Sequence, residues 1–257
     1  MNPLRFTLLL CLCVTISCSS LQPRHQVTQN STIDALLVGS YDGTMTCREL
    51  LKKGNFGLGT FDHLDGEMLV LDGIVYQIKS DGKVYRPPLE LTTPFAAVCR
   101  FSPQNTLTLP SDSNMETIKS FLDQKVTDKN AFVAIKIQGT FRTMHTRSVP
   151  AQKKPYPLLA KVASHQPEFH LRNVSGTIVG FRSPPFVKGI GVPGYHLHFI
   201  SDDKKRGGHI LGFELISGTS QVDVCNRLKL ILPEGQSDFH QLDLSKDRSR
   251  ELKQVEQ

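Results

Sequence analysis

The sequence predicts an α/β protein of the α+β type, divided into two subdomains that are built on largely antiparallel β-sheets. Short β-like runs recur along the chain, and tight-turn signals join neighbouring runs, which together predict antiparallel pairing. Residues 150–157 form a proline- and lysine-containing connection, which predicts the division. We therefore expect an N-terminal α/β subdomain over residues 31–150 and a C-terminal β subdomain with a polar tail over residues 151–257.

The N-terminal half carries the clearest hairpin and the clearest helix. Asp72-Gly73, the strongest two-residue hairpin signal, joins β-like runs at residues 67–71 and 74–79. Residues 113–126 are predicted to be an amphipathic helix, because their apolar side chains recur at helical spacing. Three glycines within residues 54–61 indicate backbone that turns tightly or approaches another element closely. Further predicted elements are short helices at 31–37 and 47–53 and strands at 92–101 and 131–149.

The C-terminal half is predicted to be mostly β-structure. Residues 168–174 and 176–182 are predicted strands, and residues 222–232 a final strand or strand pair. Between them, residues 194–213 contain two runs rich in aromatic and β-branched residues around a polar, glycine-containing turn. This segment, the histidine hairpin, is the predicted site of metal binding. The tail is predicted to be helical near residues 250–256.

The N-terminus has the order of regions that is typical of a secretory signal. Arg5 precedes an apolar run at residues 6–16, and small residues follow. That run is shorter than the roughly 20 apolar residues that span a bilayer. We therefore expect residues 1–19 to be a signal peptide and residues 20–30 to be a linker.

The mature chain is accordingly expected to be exported, either secreted or periplasmic, and to have no transmembrane segment. Ser17-Cys18 is also a candidate lipoprotein cleavage site, which would place a lipid anchor on Cys18. The remaining thiols, Cys47, Cys99 and Cys225, are too few and too scattered to predict a disulfide framework. One bridge is compatible with export, but the spacing does not choose it, and buried thiols are the default expectation.

The charge distribution argues against a nucleic-acid partner. The formal net charge of +6 is modest, and the lysines and arginines are spread along the chain. No basic run is interleaved with aromatic residues, as nucleic-acid-binding surfaces usually require. We expect solvated charged faces and no nucleic-acid binding.

The histidine hairpin places three imidazoles where they can converge. Side chains alternate across a strand, so His196 and His198 share one face. If the turn is centred between residues 203 and 204, His198 lies opposite His209, and directly paired residues point to the same side. A slip of one residue would turn the third histidine away. Three neutral imidazoles with an open position are typical of a catalytic Zn²⁺ site.

The three-histidine pattern also fits other classes of protein. HxH followed by a histidine on a neighbouring strand occurs in cupin metalloenzymes and in carbonic anhydrases. Residues 200–203 lack the glutamate that usually follows HxH in cupins, which counts against a cupin-type oxygenase. A carbonic-anhydrase-like hydratase stays open. So does a secreted, non-catalytic binding module whose histidines hold a structural metal or none.

Two further residues are candidates because of their positions along the chain. Glu67 opens a predicted strand beside the glycine-rich turn, where a carboxyl group can serve as an acid or a base. Arg147 ends a strand pattern, where its guanidinium can bind a carboxylate through two hydrogen bonds. Taken alone, each residue is more often a solvated surface charge, and that is the default expectation for both.

Several segments, in order, resemble the α-acetolactate decarboxylase family. They are GLGTFDHLDGEML (57–69), TPFAAV (93–98), TRSVPAQKKPYPLL (146–159), VSGTIVGF (174–181) and VPGYHLHFI with GGHIL (192–211). The resemblance extends from about Ser31 to Glu256. It implies a two-domain α/β protein with mixed sheets, a homodimer, and a zinc-dependent carboxy-lyase that converts 2-acetolactate to acetoin and CO₂. Many members of the family look cytoplasmic, so the export signal is a departure.

The resemblance also implies roles for individual residues. The implied zinc ligands are His196, His198 and His209, the implied active-site pair is Glu67 and Arg147, and the implied substrate-contacting hydroxyl is that of Thr60. A second family glutamate aligns best with Glu256, while Glu251 stays open because the tail diverges.

A mechanistic hypothesis follows from the histidine hairpin and the resemblance. Zn²⁺ acts as a Lewis acid that stabilises the enediolate formed as CO₂ leaves. Arg147 orients the substrate carboxylate, and either Glu67 or Glu256 protonates the enediolate.

Overall fold

The computed structural model describes residues 23–234 and 238–256. The predicted signal peptide, Cys18 and the first residues of the predicted linker lie outside the described residues. Two large β-sheets dominate the described part, which confirms the α+β class with largely antiparallel sheets. Within those ranges, no helix combines the length and the apolar character that a membrane span requires.

The elements are numbered in chain order. The strands are β1 (Gln26–Asn30), β2 (Met45–Thr46), β3 (Phe56–Thr60), β4 (Glu67–Leu71), β5 (Ile74–Ile78), β6 (Val84–Tyr85), β7 (Thr92–Thr93), β8 (Ala96–Cys99), β9 (Asn105–Thr108), β10 (Ser113–Asn114), β11 (Phe132–Arg147), β12 (Glu168–Ser183), β13 (Gly194–Ser201), β14 (Gly207–Cys225) and β15 (Arg227–Ile231). The α-helices are α1 (Ile33–Leu37), α2 (Cys47–Leu51), α3 (Met115–Lys125), α4 (Leu159–Ala163) and α5 (Ser249–Glu256). Short 3₁₀ turns lie at Asp62–Leu64, Pro185–Val187 and Asp238–Gln241.

Seven strands form the first sheet, in the order β15-β1-β8-β3-β4-β5-β6. Its β1–β15 pair is parallel, whereas the other pairs are antiparallel, so the sheet is mixed. The second sheet has the order β10-β14-β11-β12-β13, with β9 also paired to β14. Since β13 pairs with β14 as well as with β12, the four strands β11 to β14 form a closed ring of pairings. The histidine hairpin is therefore held on both sides.

The local predictions that rest on turn chemistry and periodicity are confirmed. The predicted hairpin forms as β4 and β5, with Leu71 opposite Ile74. Its turn residues, Asp72 and Gly73, have φ angles of 51° and 79°, as a type I′ turn requires. The predicted amphipathic helix is α3, and the Asn114 side chain accepts a hydrogen bond from its first turn. The two strands predicted at 168–174 and 176–182 are one continuous strand, β12.

Residues 26–30, the last part of the predicted linker at 20–30, form strand β1 between β8 and β15. The segment is polar, and periodicity alone gives it no core face. Residues 27–30 are nevertheless buried, because distant backbone carbonyls accept hydrogen bonds from two of their polar side chains. The amide of Gln29 donates to the carbonyl of Ile190 at 2.7 Å, and that of Asn30 donates to the carbonyl of Thr93 at 3.1 Å.

The predicted boundary between residues 150 and 151 does not coincide with the division between the two sheets. β15, from the C-terminal half, lies at the edge of the first sheet beside β1. β9, β10 and β11, from the N-terminal half, belong to the second sheet. The 16-residue strand β11 pairs along its length with β12 and β14, and these long-range pairings outweigh the break in composition.

The main core lies between the two sheets. One cluster of buried side chains combines Leu58 and Leu69 of the first sheet with Ala134, Val179 and Ile200 of the second. β12 and β13 contact β3 and β4 across this core. The packing consequently brings the start of β4 against the histidine hairpin.

The close approach of β3 to β8 predicts a stability change. A Cβ atom added at Gly59 would lie 2.4 Å from the carbonyl oxygen of Phe95 and 2.7 Å from the Cα atom of Ala96. Because the backbone would have to shift, we expect Gly59→Ala to lower the free energy of unfolding by about 1–3 kcal/mol, measured by chemical denaturation. Gly212→Ala in β14 is the matched control, since no atom lies within 4 Å of its added Cβ. Equal stability of the two variants would contradict the packing described here.

Candidate active site

Three histidines converge on one face of the hairpin formed by β13 and β14. His198 pairs directly with His209, as predicted, and His196 lies two residues before it on the same strand. The ring centroid of His196 lies 5.1 Å from the centroid of His198 and 5.1 Å from that of His209. The centroids of His198 and His209 are 5.4 Å apart. One nitrogen from each ring lies within 4.8 Å of the others, which is close enough for a shared metal ion.

Burial keeps the three imidazoles neutral. Desolvation lowers the pKa of His196 to about 3, and the nearby Arg147 guanidinium adds to the effect. Desolvation likewise lowers the pKa values of His198 and His209 well below their ordinary value. A neutral imidazole can offer a lone pair to a metal, whereas a protonated one cannot. The environment therefore favours the form that binds metal.

The tautomer of His198 is fixed by a backbone contact. Its Nδ1 lies 2.8 Å from the carbonyl oxygen of Met68, which can only accept, so Nδ1 carries the proton. The Nε2 atom is buried and has no hydrogen-bond partner among the described residues. A histidine whose outer nitrogen is held by a carbonyl and whose inner nitrogen is free has the arrangement that metal ligands usually show. The donor set fits Zn²⁺.

Two carboxyl groups face the same point as the imidazoles. One carboxylate oxygen of Glu67 lies 3.6 Å from Nε2 of His198. One oxygen of Glu256 lies 3.8 Å from Nε2 of His196 and 3.9 Å from Nε2 of His209. That oxygen of Glu256 is buried and has no hydrogen-bond partner among the described residues. Both carboxyl groups therefore lie close to the point that the imidazole nitrogens surround.

The two carboxyl groups are poised to exchange protons near neutral pH. Burial, with a smaller contribution from Glu256, raises the pKa of Glu67 to about 7 against the opposing effect of Arg147. Burial raises the pKa of Glu256 to about 7 as well, again opposed by Arg147. A group with a pKa near the working pH can both hold and release a proton, which suits an acid or base catalyst.

Arg147, at the end of β11, contacts Glu67 of β4 and the last turn of the C-terminal helix α5. Its Nη1 donates to Glu67 at 3.3 Å, and its Nη2 donates to the carbonyl of Val255 at 2.8 Å. Its side chain is only 4% exposed, and its Nε–H has no partner among the described residues. The guanidinium thus keeps donor capacity for an anion while it fixes the last turn of α5.

Thr60 lies beside Glu67 on the neighbouring strand, since the two residues are a pair between β3 and β4. Its hydroxyl donates to the carbonyl of Gly66 at 2.7 Å, which leaves its oxygen free to accept. The first sheet therefore supplies Thr60 and Glu67. The second sheet supplies the histidines and Arg147, and α5 supplies Glu256.

The structure brings all seven predicted site residues together. Six of them line one cavity of about 40 Å³, and His198 lies beside it through its contacts with His209 and Glu67. Glu251, the other candidate in the tail, instead lies against Arg248 at 3.3 Å and does not line this cavity. The roles of these residues stay predictions, but their proximity is a property of the fold.

Sequence reasoning missed the apolar wall of the cavity and the carbonyl that holds His198. The wall consists of Ile33, Leu36, Leu64, Phe95, Val149, Leu159 and Val255. These side chains have the same pattern as ordinary core residues, so nothing in the sequence separates them from the core. The carbonyl of Met68 carries no sequence signal, because every residue has one.

The fold and the site define a class of protein: an α+β protein with a candidate metal centre of three neutral histidines, combined with acid–base carboxyl groups and a buried arginine. The sequence model of the family "Alpha-acetolactate decarboxylase" matches residues 27–246. The chain belongs to this family. The resemblance noted from the sequence is thereby confirmed, and the oxygenase, hydratase and binding-module alternatives lose their support.

Named relatives and a solved structure agree with this assignment. The chain is 46% identical over 228 residues to the alpha-acetolactate decarboxylase of Methanosarcina mazei, covering 89% of this chain and 79% of that protein. It is 41% identical over 232 residues to that of Methylococcus capsulatus, covering 90% and 89%. The crystal structure of alpha-acetolactate decarboxylase from Bacillus subtilis strain 168 is similar with a TM-score of 0.87 and 35% identity, covering 90% of this chain and 99% of that one.

The raised pKa of Glu67 predicts a pH-dependent stability in metal-free protein. Because its pKa is about 7 in the folded state and 4.5 for a fully solvated glutamate, its contribution to stability is present below pH 4.5 and is lost as the pH rises through about 7. Glutamine does not titrate. We therefore expect the difference in Tm, variant minus parent, to become more positive for Glu67→Gln as the pH is raised from about 5 to about 8. The measurement is made in the presence of a chelator.

The control is Glu251→Gln, whose side chain is 38% exposed and pairs with Arg248. Its Tm relative to the parent should change much less over the same range. A relative Tm of Glu67→Gln that stays flat or falls with pH would show that the Glu67 carboxyl is not protonated in the fold.

Proposed function

We propose that this protein decarboxylates 2-acetolactate to acetoin and CO₂, and that the reaction depends on Zn²⁺ bound by His196, His198 and His209. Membership of the alpha-acetolactate decarboxylase family supports the reaction. The observation that carries the zinc dependence is the convergence of three neutral imidazoles, one of which has a buried nitrogen without a partner among the described residues. When bound, Zn²⁺ would supply a Lewis acid that stabilises negative charge on the substrate oxygens.

Arg147 binds and orients the substrate carboxylate in this proposal. Its guanidinium is buried, permanently charged, and still has an N–H donor without a partner among the described residues. A carboxylate held there has a fixed orientation relative to the neighbouring carbonyl, into which the electron pair of the breaking C–C bond moves. The apolar wall excludes water and accommodates the two methyl groups of 2-acetolactate.

Glu67 and Glu256 manage the proton that the reaction consumes. As CO₂ leaves, the electron pair of the broken C–C bond moves into the neighbouring carbonyl, and an enediolate results. One of its carbons must then take up a proton to give acetoin. Since burial raises the pKa of both glutamates to about 7, a fraction of each is protonated at neutral pH and can act as the donor. The fixed side from which the proton arrives would make the product a single enantiomer.

We also propose that the chain is exported and that it forms a homodimer. Export rests on the charged, apolar and small-residue regions of residues 1–19, and a lipid anchor on Cys18 is a variant of the same proposal. Dimer formation rests on the resemblance alone. N-terminal sequencing of the mature protein and its mass in solution test the two parts separately.

Replacement of one histidine should remove both the metal and the activity. We expect His198→Ala to lower the zinc content, measured by elemental analysis, from about one ion per chain to near zero. Acetoin formation, measured by a colour assay, should be lost with it. The control His165→Ala removes an exposed histidine that belongs to none of the candidate metal clusters in the described part of the chain, and it should change neither quantity. Full activity of zinc-free His198→Ala would refute the role of zinc.

The two tail glutamates provide a matched pair that tests the proton donor. Glu256→Gln keeps the shape of the side chain but removes its titrating proton, so we expect turnover to fall by about 10²–10⁴-fold with zinc content unchanged. Glu251→Gln, five residues earlier on the same helix, should keep parental turnover. Glu67→Gln should lose turnover while substrate affinity is kept. Unchanged turnover in both Glu67→Gln and Glu256→Gln would remove the carboxyl groups from the chemistry.

A further inference from the structure

Two buried thiols lie close together at the interface of the two sheets. Cys99 is the last residue of β8 in the first sheet, and Cys225 is the last residue of β14 in the second. Both are fully buried in the core cluster between the sheets. Their sulfur atoms lie within 4.8 Å of each other. Cys47, the third thiol in the described part of the chain, is buried in a different cluster.

The surroundings of the two thiols favour a bond between them over a shared metal ion. Asp223 lies beside them and could complete a metal site. However, both of its carboxylate oxygens already have partners: Nδ1 of His25 lies 2.6 Å from one, and the backbone N–H of Ser102 donates to the other at 2.7 Å. A metal ion would have to displace one of these contacts. A bond between the two sulfur atoms leaves both contacts intact.

We propose that Cys99 and Cys225 form a disulfide bond when the chain folds in an oxidising environment. The expected export of the chain would supply such an environment. In the reaction, the two thiols lose two protons and two electrons, and a small-molecule disulfide such as oxidised glutathione accepts them and becomes two thiols. The exchange passes through a mixed disulfide with one of the cysteines, and the second cysteine releases the glutathione thiol.

The bond has to form before the core closes. In the folded protein neither thiol is accessible to solvent. The hydrogen bond to Cys225 and burial raise the pKa of Cys99 well above its ordinary value, so little thiolate is present to attack a disulfide. The bridge is therefore a product of folding under oxidising conditions, and the folded thiol form resists later oxidation.

The bridge would connect the two sheets that together build the active site. β14 carries His209, and β8 is the neighbour of β3, which carries Thr60. The contact between the sheets sets the distance of Glu67 from His198. Because the cross-link closes a long loop, it restricts the unfolded chain strongly. We infer that its main effect is on stability, with a secondary effect on how firmly the two sides of the site are held.

The test is to refold the full-length protein from denaturant in a glutathione redox buffer and, separately, with excess reductant. The products are alkylated under denaturing conditions without reduction and mapped by mass spectrometry. We expect a linked peptide pair containing Cys99 and Cys225 from the redox buffer, while Cys47 is alkylated. The bridged form should melt roughly 5–15 °C above the reduced form.

Three variants make the result decisive. Cys99→Ser and Cys225→Ser should each abolish the linked peptide and the dependence of the Tm on redox conditions, whereas Cys47→Ser should keep both. Complete alkylation of Cys99 and Cys225 after oxidative refolding would overturn the proposal, as would a bridge to Cys47. A zinc ion lost from Cys225→Ser but kept in Cys47→Ser would overturn it in favour of a thiolate metal site. None of these outcomes depends on acetoin formation, so they are independent of the proposed activity.

Discussion

The direct pairing of His198 with His209 is the constraint on which the rest of the site depends. Paired residues in an antiparallel ladder point to the same face, and the next-but-one residue, His196, must do the same. Because β13 is also paired with β12, and β14 with β11, the hairpin cannot slip without breaking two other ladders. The three-histidine cluster is therefore held as firmly as the second sheet itself.

Burial gives this platform its chemistry. The same removal of water that lowers the pKa of the imidazoles raises the pKa of Glu67 and Glu256 to about 7. Burial thus favours the neutral form of the imidazoles and the protonated form of the carboxyl groups, and both effects have a single physical cause. The guanidinium of Arg147 carries a positive charge in this pocket. It also donates a hydrogen bond to the carbonyl of Val255 in α5. The same hydrogen bond holds the last turn of α5 against the site and fixes the position of the guanidinium.

The sequence predicts what is set locally and misses what distant contacts decide. The register of the histidines follows from strand alternation and the position of a turn, and both are local. Strand β1 was missed because Gln29 and Asn30 are buried through partners at Ile190 and Thr93. The two sheets do not divide at residue 150, because β11 pairs with strands that follow that residue. Glu256 could be named from the resemblance, yet only the packing of α5 separates it from Glu251.

The proposed chemistry requires that the three imidazoles hold one divalent ion between the sheets. Anomalous X-ray diffraction at the zinc edge, on crystals of protein purified without chelator, tests it most directly. We expect one strong anomalous peak at about 2.0–2.1 Å from a nitrogen of each of His196, His198 and His209. An ion bound elsewhere, or ordered histidines with no anomalous peak between them in fully active protein, would contradict it.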